Sequence, residues 1–180
     1  MMKHVLTAVA ALLALAGPAA AELQTVKHRI TGLFSREREA DLRKAVKRMS
    51  EVTIVAIDFD AGEVTFSYDA AKLFPKVKQK DIVERFDGLL RQLSSHTFGA
   101  KPPTTTPKDK LTRVEIAVAG NDCKGCDLSL YEIVAKVDGV EQATASFKEG
   151  RVTALIDPAK TSRDALIEAL KKRQVNVKTP

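Results

Sequence analysis

The stretch VEQATASFKEGRVTALID, residues 140–157, decides the fold of the second half of this chain. Residues 140–147 and 151–156 have the length and the apolar content of β-strands. Glu149-Gly150 lies between them and predicts a tight turn, because glycine adopts the positive φ that such a turn requires. The stretch is therefore predicted to form a β-hairpin.

The segments on either side of this hairpin complete one small α/β unit. Upstream, apolar and polar residues alternate over 114–118, which predicts a strand, and helical spacing predicts a helix over 126–137. Downstream, a helix is predicted over 163–173, with Thr161 and Asp164 as its capping box, and a short closing strand follows. The order βαββαβ is that of the ferredoxin-like unit.

The first half repeats this pattern at a constant offset, in which Gly32 corresponds to Gly120. Strands are predicted over 24–30, 52–59 and 63–68, and helices over 36–49 and 80–93, whereas the last strand is not assigned. A fixed offset indicates two copies of one structural unit. The residues identical in both copies include Gly32, Val46, Val52, Phe59, Gly62, Val64, Thr65 and Asp69.

The fold class expected from these patterns is α+β, with two ferredoxin-like βαββαβ sandwiches in tandem. Each sandwich has an antiparallel sheet with helices on one face. KPPTTTPKDK, residues 101–110, contains three prolines and no apolar side chain, and it is interpreted as a linker. The expected domains are therefore residues 22–100 and residues 111–180.

The first 21 residues are expected to be a cleaved signal peptide. Lys3 precedes an apolar run over residues 5–16, and an Ala-Ala-Ala sequence ends at Ala21. A short basic region, a short apolar region and small residues before the cleavage point are typical of secretory signals. We therefore expect a periplasmic or secreted protein that keeps no stable membrane insertion after cleavage.

The composition argues against several classes of function. The net charge is +6, but the chain has no tryptophan and only 5% aromatic residues, so we expect no nucleic-acid partner. No catalytic Ser/His/Asp grouping, phosphate-binding glycine loop or carboxylate pair is evident, so we expect no enzyme. His28 and His96 have no metal-ligand partner at suitable spacing, and His28 is interpreted as a packed or edge residue.

The only two cysteines, Cys123 and Cys126, lie in the motif GNDCKGC. A disulfide between them would close a loop too small to stabilise a fold by restricting the unfolded chain. Chemistry at the sulfur atoms explains the pair better, and C-x-x-C serves both metal binding and thiol–disulfide exchange. The residues alone leave a metal site, a redox pair and an interaction module without metal as alternatives.

The motif and its position resemble the heavy-metal-associated domain family. GNDCKGC ends a predicted strand and opens a helix, and a later D-G-V completes the resemblance over about residues 111–178. The family includes copper chaperones, a periplasmic mercury-binding protein and the metal-binding domains of P-type ATPases. The resemblance implies that Cys123 and Cys126 bind one metal ion and pass it to a membrane metal transporter or another metal-binding protein.

Two residues depart from the usual family pattern. Asn121 replaces a methionine that normally packs under the loop, and Asp122 precedes Cys123 as in zinc-, cadmium- and lead-exporting ATPases. Asp122 is interpreted either as a third ligand or as a helix cap. The expected ion is therefore Cu(I), Hg(II), Zn(II) or Cd(II). Residues 171–173 are basic, and the resemblance places them beside the metal loop.

The first half has Ser35 and Arg38 where the repeat places the two cysteines. Without thiols, this half is predicted to be a degenerate copy with no soft-metal site. Its first predicted helix is rich in alternating charges, which is typical of a solvated surface. A docking surface for an acidic partner or for the other domain is the alternative. The expected function is that of an exported metal chaperone or scavenger.

Overall fold

The computed structural model describes residues 23–119, 124–146 and 148–178 of the 180-residue chain. The predicted signal peptide, residues 120–123 of the cysteine motif and Phe147 lie outside the described residues. The elements of the first half are β1 (Gln24–Thr31), α1 (Arg38–Val46), β2 (Thr53–Asp58), β3 (Glu63–Tyr68), α2 (Ala70–Leu73), α3 (Ile82–Leu93) and β4 (Gly99–Lys101). The elements of the second half are β5 (Thr112–Ala119), α4 (Lys124–Ala135), β6 (Val140–Ser146), β7 (Arg151–Ile156), α5 (Arg163–Lys172) and β8 (Asn176–Val177).

Each half contains one four-stranded antiparallel sheet. The strand order is β2-β3-β1-β4 in the first sheet and β6-β7-β5-β8 in the second. The central pairs have equivalent registers, since His28 lies opposite Val64 and Ile116 lies opposite Val152. The predicted tandem of ferredoxin-like βαββαβ units is confirmed.

The first domain has an aromatic core between its sheet and its helices. Phe66 and Tyr68 from β3 and Phe86 from α3 are fully buried, and His28 from the central strand β1 lies among them. The Nε2 atom of His28 is 3.1 Å from the Tyr68 hydroxyl. His28 is therefore a packed core residue, one of the two roles expected from the sequence.

The unassigned last strand of the first domain is β4, which pairs with β1. Lys101, the first residue of the predicted linker, is also the last residue of this strand. The longer connection after β3 contains α2, which begins where the Asp69 carboxylate accepts hydrogen bonds from the backbone N–H groups of Ala71 and Lys72. The sequence pattern gave no bounds for the expected last strand and did not indicate α2, because each element is only three or four residues long.

Helix α5 is capped by a different residue from the one predicted. Its N-cap is Ser162, whose side-chain oxygen accepts a hydrogen bond from the Ala165 N–H at 3.3 Å. The predicted box of Thr161 and Asp164 is therefore wrong by one residue. Thr161 instead belongs to the preceding turn, where its backbone N–H donates to the carbonyl of Asp157.

Among the residues that the structure describes, the core of the second domain is aliphatic except for Tyr131 and the Phe34 ring from the first domain. Its sheet and helices contribute Ile116, Val134, Val152 and Leu166, all almost completely buried. Among the described residues, no helix combines the length and the apolar character needed to cross a bilayer.

Candidate metal centre

Cys126 lies in the first turn of α4, the helix that follows β5. It is partly buried and is disulfide-bonded. The other two predicted site residues, Cys123 and Asp122, lie outside the described residues. Of the three predicted ligands, the structure therefore describes Cys126 alone, at the start of α4.

The start of a helix favours an ionised thiol. The first turn leaves backbone N–H groups without partners inside the helix, and the helix dipole places partial positive charge there. A thiolate is the form of cysteine that binds a metal or attacks a disulfide. A disulfide must first be reduced before either sulfur atom can bind a soft metal ion.

The basic end of α5 lies near the point at which the cysteine motif leaves β5. Strand β8 follows α5 closely and pairs with the last residues of β5, with Asn176 opposite Ala119. Lys171, Lys172 and Arg173 at the end of the helix are exposed, and Lys171 has only an exposed ion pair, with Glu168 at 3.2 Å. This end of the domain thus presents positive charge to solvent beside the motif.

The equivalent position in the first domain is occupied by a cation. The Arg38 guanidinium lies over the rings of Phe34 and Phe98, at 5.3 and 5.1 Å, and pairs with Asp41 at 3.1 Å. A positive group held in this way offers nothing to a metal ion. In the described part of the chain, no group of three or more His, Cys, Asp or Glu side chains is arranged to hold one.

Helix α4 is also held by the first domain, a feature that the sequence pattern did not indicate. The backbone N–H of Gly32 donates a 2.6 Å hydrogen bond to the Tyr131 hydroxyl, which belongs to α4. Burial raises the pKa of Tyr131, and the bond from Gly32 acts in the opposite direction. The only sequence signal was a tyrosine within an otherwise aliphatic helix pattern.

Two curated proteins are similar to the chain in sequence. The human copper-transporting ATPase 2 is 24% identical over 161 residues, which cover 81% of this chain and 11% of the ATPase. The copper-exporting P-type ATPase of Staphylococcus saprophyticus is 30% identical over 83 residues, which cover 39% of this chain and 10% of the ATPase. The chain thus spans about a tenth of the length of these relatives.

Solved structures with similar folds include a small protein that matches one half of the chain and a pair of soluble domains that matches most of it. Oxidized MerP from Ralstonia metallidurans CH34 is 25% identical, with a TM-score of 0.36, and the match covers 38% of this chain and 94% of MerP. The N-terminal soluble domains of Bacillus subtilis CopA are 20% identical, with a TM-score of 0.36, over 88% of this chain and 94% of that one.

No protein-family model matches the chain. The match to the human ATPase nevertheless extends over both halves, and that to the bacterial ATPase has the length of a single half. The resemblance of this chain to the heavy-metal-associated domain family, expected from GNDCKGC and its position in the fold, is thereby confirmed.

Proposed function

We propose that the chain is an exported metal-binding protein, a chaperone or scavenger, that holds one ion between the thiolates of Cys123 and Cys126. The observation that carries the proposal is the position of Cys126 in the first turn of α4, directly after β5. Two thiolates suit soft ions, and the names of both sequence relatives favour copper among the four candidate ions.

Asp122 decides between two kinds of ion in this proposal. A linear pair of thiolates suffices for Cu(I) or Hg(II), whereas Zn(II) and Cd(II) take about four ligands. If Asp122 supplies an oxygen ligand, the site favours the divalent ions. If Asp122 only caps α4, its removal leaves the choice of metal unchanged.

Transfer to a partner is the second part of the proposal. A bound ion moves between proteins when thiolates of the partner replace those of the donor one at a time. The exposed basic residues Lys171, Lys172 and Arg173 precede β8, which pairs with the end of β5, and they suit an acidic docking surface on the partner. A membrane metal transporter or another metal-binding protein is the partner class that we propose.

The first test is a metal titration of the fully reduced protein, without oxygen and followed by native mass spectrometry. We expect one ion of the preferred metal per chain, and none in the C123S/C126S variant. D122N should lower zinc and cadmium affinity relative to copper, if the carboxylate is a ligand. D138N, an exposed change in the turn after α4, is the control. Stoichiometric binding to the double-serine variant would refute the site.

Export is tested on the same protein. A chain produced with its first residues intact should be recovered outside the cytoplasm with an intact mass that begins at Glu22. Recovery of the uncleaved chain in the cytoplasm would contradict this part of the proposal.

Thiol–disulfide exchange is the second candidate, favoured by the disulfide bond of Cys126. In such a reaction, the reduced pair would give two electrons and two protons to a substrate disulfide through a mixed disulfide. The reduced protein would then accelerate insulin reduction in the presence of a dithiol. No acceleration above that of the double-serine variant would exclude this activity.

A further inference from the structure

The loop that follows β1, residues 32–35, lies between the two domains, with its first two residues buried and the next two partly buried. This loop is the first domain's counterpart of the cysteine motif. Leu33 is fully buried in the core of the first domain, whereas Phe34, the next residue, packs against the core of the second. Neighbouring side chains of one loop thus enter two different hydrophobic cores.

Helix α4 of the second domain contacts this loop through Tyr131. The Tyr131 hydroxyl accepts a hydrogen bond from the Gly32 N–H, and the Tyr131 ring lies 5.5 Å from the ring of Phe34. Gly32 has φ +88°, and a Cβ atom there would collide with the carbonyl oxygen of Thr97. Glycine is therefore needed for the loop to reach the tyrosine.

Strand β6 contacts the same loop through its side chains and its backbone. The buried amide of Gln142 donates hydrogen bonds to the carbonyls of Leu33 and Phe59, each at 3.1 Å. The N–H of Ala145 donates to the carbonyl of Phe34 at 3.2 Å. Because β6 is an edge strand, the loop satisfies a backbone donor that would otherwise remain open to pairing with another chain.

An ion pair joins the domains on the other side of Gln142. Arg29 of β1 pairs with Glu141 of β6, and their side chains are only 17% and 9% exposed. Two charges removed from water in this way are stable only while they remain together. Separation of the domains would break this ion pair but return both charges to water, so the pair constrains how the two strands align more than it strengthens the contact.

The first domain lacks a surface equivalent to the one on α4 and β6 that binds the loop. By the repeat, Arg43 and Ile54 stand where the second domain has Tyr131 and Gln142. These side chains line an open groove of about 160 Å³, and they provide neither the hydroxyl acceptor nor the amide donor. The interaction is therefore directional: the loop of the first domain fits the second, and the first domain offers no equivalent site.

We propose that the cysteine-free loop is an intramolecular docking element. It binds the face of the second domain formed by α4 and β6, and it fixes the two domains as one rigid unit. The first domain then serves as a scaffold for the proposed metal-binding domain rather than as a second metal site. None of the docking contacts involves a proposed metal ligand, so this inference stands or falls independently of the proposed function.

The docking also restricts how a partner can approach. Tyr131 lies five residues after Cys126 on α4, about 7.5 Å further along the helix axis. Tyr131 on α4 and Gln142 and Ala145 on β6 contact the first domain, whereas Leu128 near the Cys126 end remains 45% exposed. The Cys126 end of the helix is therefore the end that the docked loop leaves open to a partner.

The test is nuclear magnetic resonance on the chain from Glu22 onward, without metal. Residual dipolar couplings and ¹⁵N relaxation report whether the two domains share one alignment tensor and one tumbling time. We expect a single tensor in the wild-type chain. In F34A/Q142A we expect two tensors and faster tumbling of both domains, because the ring contact and both amide bonds are lost.

F74A is the matched control. Phe74 is also a partly buried phenylalanine, but it packs against the core of the first domain alone. This variant should keep a single tensor. Two independent tensors in the wild-type chain would overturn the proposal without reference to any variant. A single tensor retained in a folded F34A/Q142A would show that the loop does not hold the domains together.

Discussion

At the scale of single residues, His28 shows most clearly how burial changes the pKa of a side chain. It is completely buried among three aromatic rings and has a hydrogen bond only at Nε2, to Tyr68. Its Nδ1 is buried without a hydrogen-bond partner. Loss of solvation lowers the pKa of His28 from 6.5 to about 4. The folded protein therefore holds this imidazole neutral over most of the pH range.

This burial predicts a loss of stability in mild acid. Between pH 6.5 and about pH 4, His28 is protonated in the unfolded chain but neutral in the folded chain. Protonation therefore stabilises the unfolded state, and the free energy of unfolding falls as the pH is lowered. The loss is complete below about pH 4, where both states are protonated, and amounts to roughly 3 kcal/mol. Urea unfolding at pH values from 4 to 7 measures it.

Two variants separate this effect from other acid-sensitive groups. H28L/Y68F replaces both hydrogen-bonding partners with apolar groups, and it should remove this part of the pH dependence. Y68F alone keeps the buried imidazole and should keep the dependence. An unchanged slope in H28L/Y68F would mean that other groups cause the acid loss.

At the scale of elements, the start of α5 shows how local chemistry sets a boundary. Ser162 accepts a hydrogen bond from the Ala165 N–H, which has no partner within the helix. S162A should therefore lower the free energy of unfolding by about 1 kcal/mol. T161V removes the hydroxyl of the neighbouring, wrongly predicted cap while keeping its shape. It should cost clearly less in the same urea titration, and an equal or larger cost would contradict this assignment of the cap.

The sequence predicted the elements that repeat a pattern over several residues. The hairpin of β6 and β7 and the helices α4 and α5 follow from alternation, helical spacing and turn residues, which are local properties. The short α2 and β4 carry no such period. Strand β4 exists because β1 has a free edge beside it, which is a tertiary cause.

For the candidate site too, local features were predicted from the sequence and contacts between the domains were not. The motif alone placed Cys126 at the start of a helix, and α4 begins two residues before it. Nothing local marked Tyr131 or Gln142, because their partners lie about a hundred residues earlier in the chain. Such contacts depend on how the domains pack, and the spacing of residues within one domain carries no information about that.

At the scale of the whole molecule, the docked loop joins two cores that would otherwise be separate. Each of its hydrogen bonds contributes about 1 kcal/mol, and burial of the Phe34 ring adds a comparable amount. The linker adds contacts to both domains. Lys108 pairs with Asp58 at 2.7 Å, and Thr106 donates to Asp157 at 2.9 Å. Together these contacts couple the two cores.

We therefore predict that the two domains unfold in one transition. The backbone amides of Val64 and Val152, each in the centre of one core, report on the first and second domain respectively. Their signals should disappear at the same urea concentration in the wild-type chain, because unfolding of one domain removes the interface contacts that stabilise the other. F34A/Q142A should separate the two midpoints, since the ring contact and both amide hydrogen bonds that link the cores are then lost. F74A should move both midpoints together to lower urea, because it weakens one part of a single cooperative unit. Separate midpoints in the wild-type chain would mean that the interface is weaker than the difference in stability between the domains.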